Sequence, residues 1–221
     1  QPLPEGSLPL KEWADIVDEL PEEYQSKFLE VMQYVVARGH DPYDGNFYWS
    51  PTDGYDTRVI VPFTYEGKVV GNTARKITEG KPKYLSDQHP HFVFNTDRQS
   101  ENQRYIFVAE GPFDALAIGG VGLLTNDIAD QQARIINGLG PEVIVIPDQD
   151  EAGLNLIKKA MHYNWSVAFP NWDSDVKDVA DAVQRYGKLF VMVDAIKTAV
   201  SGDIKITMAL RQMERKLEKD N

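Results

Sequence analysis

The sequence predicts an α/β protein built on a parallel sheet flanked by helices, and three observations carry that reading. First, Tyr105–Ala109 and Val143–Pro147 are runs of four or five mostly apolar residues bounded by turn residues, the pattern of strands buried on both faces. Second, strand and helix alternate from Tyr105 onward, with strands at 105–109, 121–125, 143–147 and 166–169 and helices near 112–119, 129–138, 151–163 and 178–186. Each crossover has room for one helix, which makes the joined strands parallel. Third, both apolar runs end in acids, Glu110 after the first and Asp148 and Asp150 after the second. Ligands of open α/β sheets bind outside the carboxyl ends of the strands, so these acids are expected to meet at one edge.

The elements ahead of that sheet follow in order. Gln1–Pro9 carries three prolines and reads as an extended linker. Leu10–Leu20 reads as a short helix, and Pro21-Glu22-Glu23 opens a second, with acids at its positive end. Tyr24, Phe28, Val31, Met32, Val35 and Val36 share a face at helical spacing and are expected in the core, and Gly39 ends the helix. Residues 40–56 read as a loop around Phe47-Tyr48-Trp49, a patch that could stack a base but is expected to pack beneath the loop. Thr57–Tyr65 and Lys68–Thr73 form a predicted hairpin turning at Glu66-Gly67. His89-Pro90-His91 reads as a surface turn. After the parallel sheet, Leu189–Val200 and Ile204–Leu217 are predicted helices, the last ending in Lys and Glu pairs. The implied division is an α+β subdomain over 1–104, the parallel-sheet domain over 105–187 and C-terminal helices over 188–221.

Composition sets limits on function. The 221 residues include no cysteine, which excludes disulfides and cysteine-held zinc and leaves oxygen or histidine as metal ligands. No apolar run reaches the length of a membrane span and no signal peptide opens the chain, so a cytoplasmic protein without a membrane partner is expected. The start at Gln1 suggests a processed or truncated chain. The net charge of −11 argues against a nucleic-acid partner until its distribution is considered. Residues 58–104 hold 8 bases against 5 acids, whereas 1–57 hold 12 acids against 3 bases and 105–187 hold 12 against 5. A metal-bearing acidic edge with a basic flank suits phosphate chemistry, because the metal neutralises the carboxylates and the bases meet the remaining charge.

Asp148 and Asp150 lie two apart just past a strand, so in extended chain both carboxylates point to one side. Glu110 and Asp114 span a strand-to-helix turn eased by Gly111, and Asp178 and Asp181 are three apart at a helix start. Taken singly, each acid reads as a helix cap. Taken together at corresponding strand ends, they read as a hard-oxygen pocket for Mg²⁺ or Mn²⁺.

Glu110-Gly111-Pro112-Phe113-Asp114-Ala115-Leu116, then Pro147-Asp148-Gln149-Asp150-Glu151-Ala152-Gly153, then Lys177-Asp178-Val179-Ala180-Asp181-Ala182 resemble the ordered Glu, Asp-x-Asp and Lys-Asp motifs of the Toprim fold. Thr57–Phe63, Gly71, Arg75 and Lys81-Pro82-Lys83-Tyr84-Leu85-Ser86 are similar to the basic subdomain that precedes Toprim in DNA primases, most of all bacteriophage replication primases.

The resemblance implies the RNA polymerase core of a primase. Such an enzyme is a nucleotidyltransferase that makes short RNA primers from ribonucleoside triphosphates on single-stranded DNA, beside a replicative helicase. It implies Glu110, Asp148 and Asp150 as catalytic acids and Glu110, Asp114, Asp148, Asp150, Asp178 and Asp181 as metal ligands, with Asp175 an alternative neighbour for Asp178. It also implies Arg58, Arg75, Lys81, Lys83 and Tyr84 as residues for nucleotide or template. Primases of this kind usually carry an N-terminal zinc-binding module, here expected to be missing or supplied in trans. No Gly-x-x-x-x-Gly-Lys-Ser/Thr segment marks a fused motor. Two other readings remain at this stage: a Toprim nuclease, and a noncatalytic module whose terminal helices bind a helicase.

Overall fold

The computed structural model describes residues 2–125 and 128–220, with side chains through residue 215. The Lys and Glu pairs expected at the end of the last helix therefore lie outside the described side chains. The chain divides into two units, Gln1–Pro90 and His91–Asn221.

The first unit is an antiparallel sheet with helices against it. Its strands run in the order of the chain: β1 (Leu8–Pro9), β2 (Tyr48–Trp49), β3 (Arg58–Tyr65), β4 (Lys68–Lys76) and β5 (Tyr84–Asp87). The β3–β4 hairpin turns at Glu66 (φ 49°) and Gly67 (φ 73°). Two left-handed residues in sequence are what a tight hairpin needs to match strand twist. Helix α1 (Leu10–Ile16) leads through a short 3₁₀ turn, Val17–Glu19, into α2 (Glu22–Ala37). Phe28, Val31 and Val35 of α2 are buried as the stripe predicts, whereas Val36 at its edge is exposed.

Phe47 and Trp49 are fully buried, so the aromatic patch packs rather than presenting its rings. Trp13 meets Trp49 edge to face at 5.2 Å and donates its indole N–H to the Trp49 carbonyl at 2.9 Å. Truncating either Trp to Ala is expected to destabilise this unit by about 3–5 kcal/mol.

The lead-in is not a free linker. Leu8 and Pro9 pair with Trp49 and Tyr48, the Ser50 and Thr52 hydroxyls donate to the Glu5 carbonyl, and the Asn72 amide donates to the Pro2 carbonyl. Proline removes a donor but keeps an acceptor, so this segment is held by its carbonyls. Strand β5 is short, largely exposed and without apolar alternation, which is why the sequence does not announce it. Gly71 lets it approach, since a Cβ there would stand 2.3 Å from the Asp87 carbonyl oxygen.

In the second unit, β6 (Tyr105–Ala109), β7 (Val121–Gly122), β8 (Glu142–Val145), β9 (Ser166–Ala168) and β10 (Ala199–Val200) lie in the order β10-β9-β8-β6-β7. The pairs β6–β7, β6–β8 and β8–β9 are parallel, and β10 adds an antiparallel edge. That edge strand takes the last two residues of the predicted helix 189–200. The intervening helices are α3 (Pro112–Ile118), α4 (Asp130–Gly138), α5 (Glu151–His162), α6 (Val179–Tyr186), α7 (Lys188–Thr198) and α8 (Asp203–Asp220).

Alternate strand residues feed two cores. Ile106, Val108, Val143, Val145 and Val167 pack with α4, α5 and α8, while Phe107, Ala109, Ile144, Ile146 and Ala168 pack with α3, α6 and α7. The result is a three-layer α/β unit.

The boundary falls at 90/91 rather than at 104/105. Phe94 exchanges backbone hydrogen bonds with Gly122, the Asn95 amide donates to the Gly120 carbonyl, and Val93 enters the core. Residues from 188 onward cover both faces of this sheet and form no separate domain.

Candidate active site

The strand order creates the site. From β6 the chain moves outward to β7, then returns across β6 to β8 on the other side. Crossovers leaving in opposite directions open a crevice at the carboxyl ends of β6 and β8. Val108 is paired with Val145, and the Ile146 N–H donates to the Val108 carbonyl, so the residues after each strand arrive side by side. Those residues are Glu110 and Asp148.

Glu110 is buried, and its Oε1 accepts the Asp148 backbone N–H in a long bond of 3.4 Å. Burial raises its pKa, the Asp148 N–H opposes that, and the Asp150 charge adds to it. Asp148 is pushed further, to about 9, first by burial and then by the charges of Asp114, Glu110, Asp178 and Asp150. Its Oδ1 is buried and receives no hydrogen bond. Desolvated among like charges, that oxygen suits a hard cation as its partner.

The remaining acids are caps and neighbours at once. Asp150 caps α5 through an Oδ1 bond from Gly153 N–H (3.0 Å), and Asp178 caps α6 through the Asp181 N–H (2.7 Å). Buried Asp114 reaches from α3 to accept the Ala180 N–H (2.9 Å) in the first turn of α6. Helix N-termini favour these negative charges, so local capping is what holds the acids at the edge. Asp181 lies in the first turn of α6 and is half-buried. Asp175 is drawn away to an exposed ion pair with Arg185 at 2.5 Å.

Backbone contacts lock the two acid loops together. The Gln149 N–H donates to the Lys177 carbonyl (2.8 Å), joining the loop after β8 to the loop before α6. A Cβ at Gly153 would stand 2.0 Å from the Asp148 carbonyl oxygen, so only glycine lets α5 begin this close to the acid. Lys177 and Gly153 stand inside the motifs quoted from the sequence, but what each does there was not legible, because neither contact leaves a mark in local pattern.

These donors fit a hard divalent cation. They are all oxygens, one is an orphan, and their charges repel one another. Among the described residues no group of three His, Cys, Asp or Glu side chains closes into a cage by itself. Hard cations that keep several waters need only one or two protein carboxylates, so an open set of acids is a usable donor set.

The predicted nucleotide residues lie in the first unit and differ in kind. Arg75 donates to the Tyr84 hydroxyl, and its guanidinium stands over the Tyr34 and Tyr84 rings at 5.7 and 5.3 Å. The Lys83 ammonium lies 5.9 Å from the Tyr84 ring, and Lys81 is exposed nearby in sequence. Arg58 is otherwise employed. It is buried, and its guanidinium donates to the carbonyls of Gly54, Ala74, Lys83 and Pro82. Arg58, expected at phosphate, thus has its donors engaged within the first unit, where its fork ties β3 and β4 to the strand-connecting loop. Tyr34, from α2, was missed because only the tertiary fold brings it to Arg75.

No family model matches the chain. It is 27% identical over 166 residues to a DNA primase of Mycoplasma genitalium, covering 65% of this chain and 27% of that one. It is 28% identical over 194 residues to a DNA primase of Halalkalibacterium halodurans, covering 76% of this chain and 31% of that one. The chain thus spans about a quarter to a third of these relatives' length. Among solved structures, a DnaG catalytic core aligns with a TM-score of 0.60 at 16% identity, over 87% of this chain and 80% of the other. The fold is that of a primase catalytic core. A DnaG primase catalytic domain bound to single-stranded DNA aligns at TM-score 0.55 and 18% identity, over 86% of this chain and 65% of that one. The primase fragment of the bacteriophage T7 primase-helicase protein aligns at 0.53 and 16%, over 74% and 69%. Within the primase-core fold, the second unit is the Toprim-type sheet that the three acidic motifs predict.

Proposed function

We propose that this chain is the catalytic core of a DNA primase, joining ribonucleotides into short RNA primers on single-stranded DNA. The observation that carries the reading is the meeting of Glu110 and the unpartnered Asp148 oxygen at the crevice between β6 and β8, within a primase-core fold. The 3′ hydroxyl of one nucleotide attacks the α-phosphate of the next, and pyrophosphate leaves.

Asp148 and Glu110, with Asp150 beside them, would hold Mg²⁺ or Mn²⁺, and Asp114, Asp178 and Asp181 would complete the negative field directly or through water. When bound, the metal lowers the pKa of the attacking hydroxyl and stabilises charge on the phosphoryl group. Asp148 and Asp150 would act by fixing position rather than by carrying protons. Raised by burial, Glu110 is in addition the residue suited to accept the hydroxyl proton. Arg75, Lys83 and Lys81 supply positive charge for triphosphate or template backbone, with Tyr84 and Tyr34 offering ring faces.

The DnaG domain bound to single-stranded DNA supports a single-stranded template, and the T7 primase-helicase protein supports a helicase partner. A zinc-binding module supplied from outside residues 1–221 belongs to the same reading. Among the described residues no helix is long and apolar enough to cross a membrane, which is compatible with work in the cytoplasm.

A Toprim nuclease would use the same acids. Against it, the match to the Halalkalibacterium halodurans primase covers 76% of the chain, more than the second unit alone makes up. The test is primer synthesis on single-stranded template with four ribonucleotides and Mg²⁺, beside a supercoiled-plasmid nicking assay. The expected result is short RNA from the parent and none from Glu110→Gln or Asp148→Asn. Nicking that depends on Asp148, without RNA synthesis, would replace this reading by the nuclease.

A further inference from the structure

Two helices turn an apolar stripe outward. On α2, Leu29 and Val36 are 56% and 57% exposed, and half-buried Met32 lies between them. On α8, Ile204 and Met208 are 79% and 62% exposed. The spacings, i, i+3 and i+7 on α2 and i, i+4 on α8, put each set along one side of its helix. A lone exposed apolar side chain is ordinary. A row of them is informative on a helix whose other side already fills the core, as Phe28, Val31 and Val35 do on α2 and Ile206, Leu210 and Met213 do on α8.

The surroundings of the two stripes carry opposite charge. Between Glu12 and Val36 stand seven acids and one base, Lys27, whose ammonium is taken by Glu23 (2.5 Å) and Asp56 (2.7 Å). Exposed Glu22 and Glu30 flank Leu29 on the outward side of α2. The outward side of α8 reverses this. Lys205, Arg211 and Arg215 are exposed around Ile204 and Met208, and among the described side chains of that helix the one exposed acid is Asp203 in its first turn. Glu22, Glu30, Arg211 and Arg215 make no ion pair with another described residue.

We propose that these faces meet between molecules, the outward face of α8 in one copy of the chain docking on the outward face of α2 in another. Laid antiparallel, Ile204 and Met208 run along Val36, Met32 and Leu29, while Arg211 and Arg215 reach Glu30 and Glu22. Antiparallel packing also sets the helix dipoles in opposition. Contact between two different faces is head-to-tail, so each pair leaves one face of each kind open for a further copy. One helix pair buries less surface than a standard stable interface, so the contact is weak between free molecules and gains where several copies are held close together. The inference rests on surface chemistry and does not depend on the polymerase reading.

The full chain is followed by sedimentation equilibrium up to about 1 mM protein, at low salt and at about 0.5 M NaCl. The parent is expected to self-associate with a dissociation constant on the order of 100 µM at low salt and several-fold more weakly at high salt, where exposed charges are screened. Leu29→Lys and, separately, Met208→Glu should each weaken self-association by about tenfold or more, because each sets like charges against the docking face. An equimolar mixture of the two variants should associate again and stop at a dimer, because Leu29→Lys keeps its α8 face and Met208→Glu keeps its α2 face. Both positions are exposed, and unchanged helical circular dichroism checks the fold. If either variant loses it, Val36→Lys or Ile204→Glu takes its place and decides. A parent that stays monomeric across the range leaves both faces to other proteins and overturns the proposal, as does a variant that associates like the parent. A mixture that stays monomeric, or that grows past a dimer, overturns the head-to-tail pairing of these two faces. Association equally strong at both salt concentrations overturns the part assigned to charge.

Discussion

The two units handle charge in opposite ways. In the second, carboxylates from three chain segments are brought together at strand ends and helix starts, and one oxygen is left buried without a donor. In the first, the buried guanidinium is already satisfied by four carbonyls, and Arg75 rests among tyrosines. The acid edge is held in a repulsive arrangement by helix capping. The basic sheet is a complete structure that also presents charge. Removing a carboxylate should therefore relieve the fold and harm function, whereas removing the buried Arg should harm the fold first.

The largest expected effect tests the acid edge. Asp148→Asn should lower primer synthesis by about 10³-fold or more while raising the unfolding midpoint of the metal-free protein. A variant that loses activity together with stability would make Asp148 a structural residue and break the contrast. Next in size, Arg58→Met should destabilise the protein by about 3 kcal/mol in urea denaturation, because it leaves carbonyls and packing unsatisfied. Weaker template binding at unchanged stability would instead return Arg58 to the ligand surface.

Acidity sharpens the same comparison. Asp148 is raised from its ordinary 3.8 to about 9, so between those values the folded protein holds a proton that the unfolded chain has lost. Stability of the metal-free protein should accordingly be greatest at the low end of that window and fall as pH rises toward 9. Asp148→Asn should flatten this slope, and saturating Mg²⁺ should do so too by replacing the proton. Thermal melts across the window, with and without Mg²⁺, measure it; equal slopes in parent and variant would remove the electrostatic account. The smallest effect belongs to the basic sheet. Arg75→Gln should weaken single-stranded DNA binding a few-fold on every sequence and reduce the salt slope by about 1. Fluorescence anisotropy at several salt concentrations would expose an effect confined to one template.

Much of this was legible in the residues. Local signals act within a few positions: Pro112 at a helix start, Glu66-Gly67 at a hairpin, apolar runs ending in acids. They determined the alternation of elements and named Glu110, Asp148 and Asp178. Capping does not withdraw these acids from the edge, since Asp150 and Asp178 cap helices while adding to the field on Asp148.

What the tertiary structure alone decided depends on contacts between distant segments. Strand order is one such matter, because parallel crossovers of similar length do not record which side of β6 they return to. That order puts the crevice between β6 and β8 and sets Glu110 against Asp148. Arg58 is another. Its charge is visible in the sequence, but the carbonyls that consume it come from 4, 16, 24 and 25 residues away, so only folding shows that it is a tie within the sheet. Residue chemistry and short spacing thus determined which groups the protein has for its site. The fold decided which of them remain available, since availability depends on what else is brought within hydrogen-bonding reach.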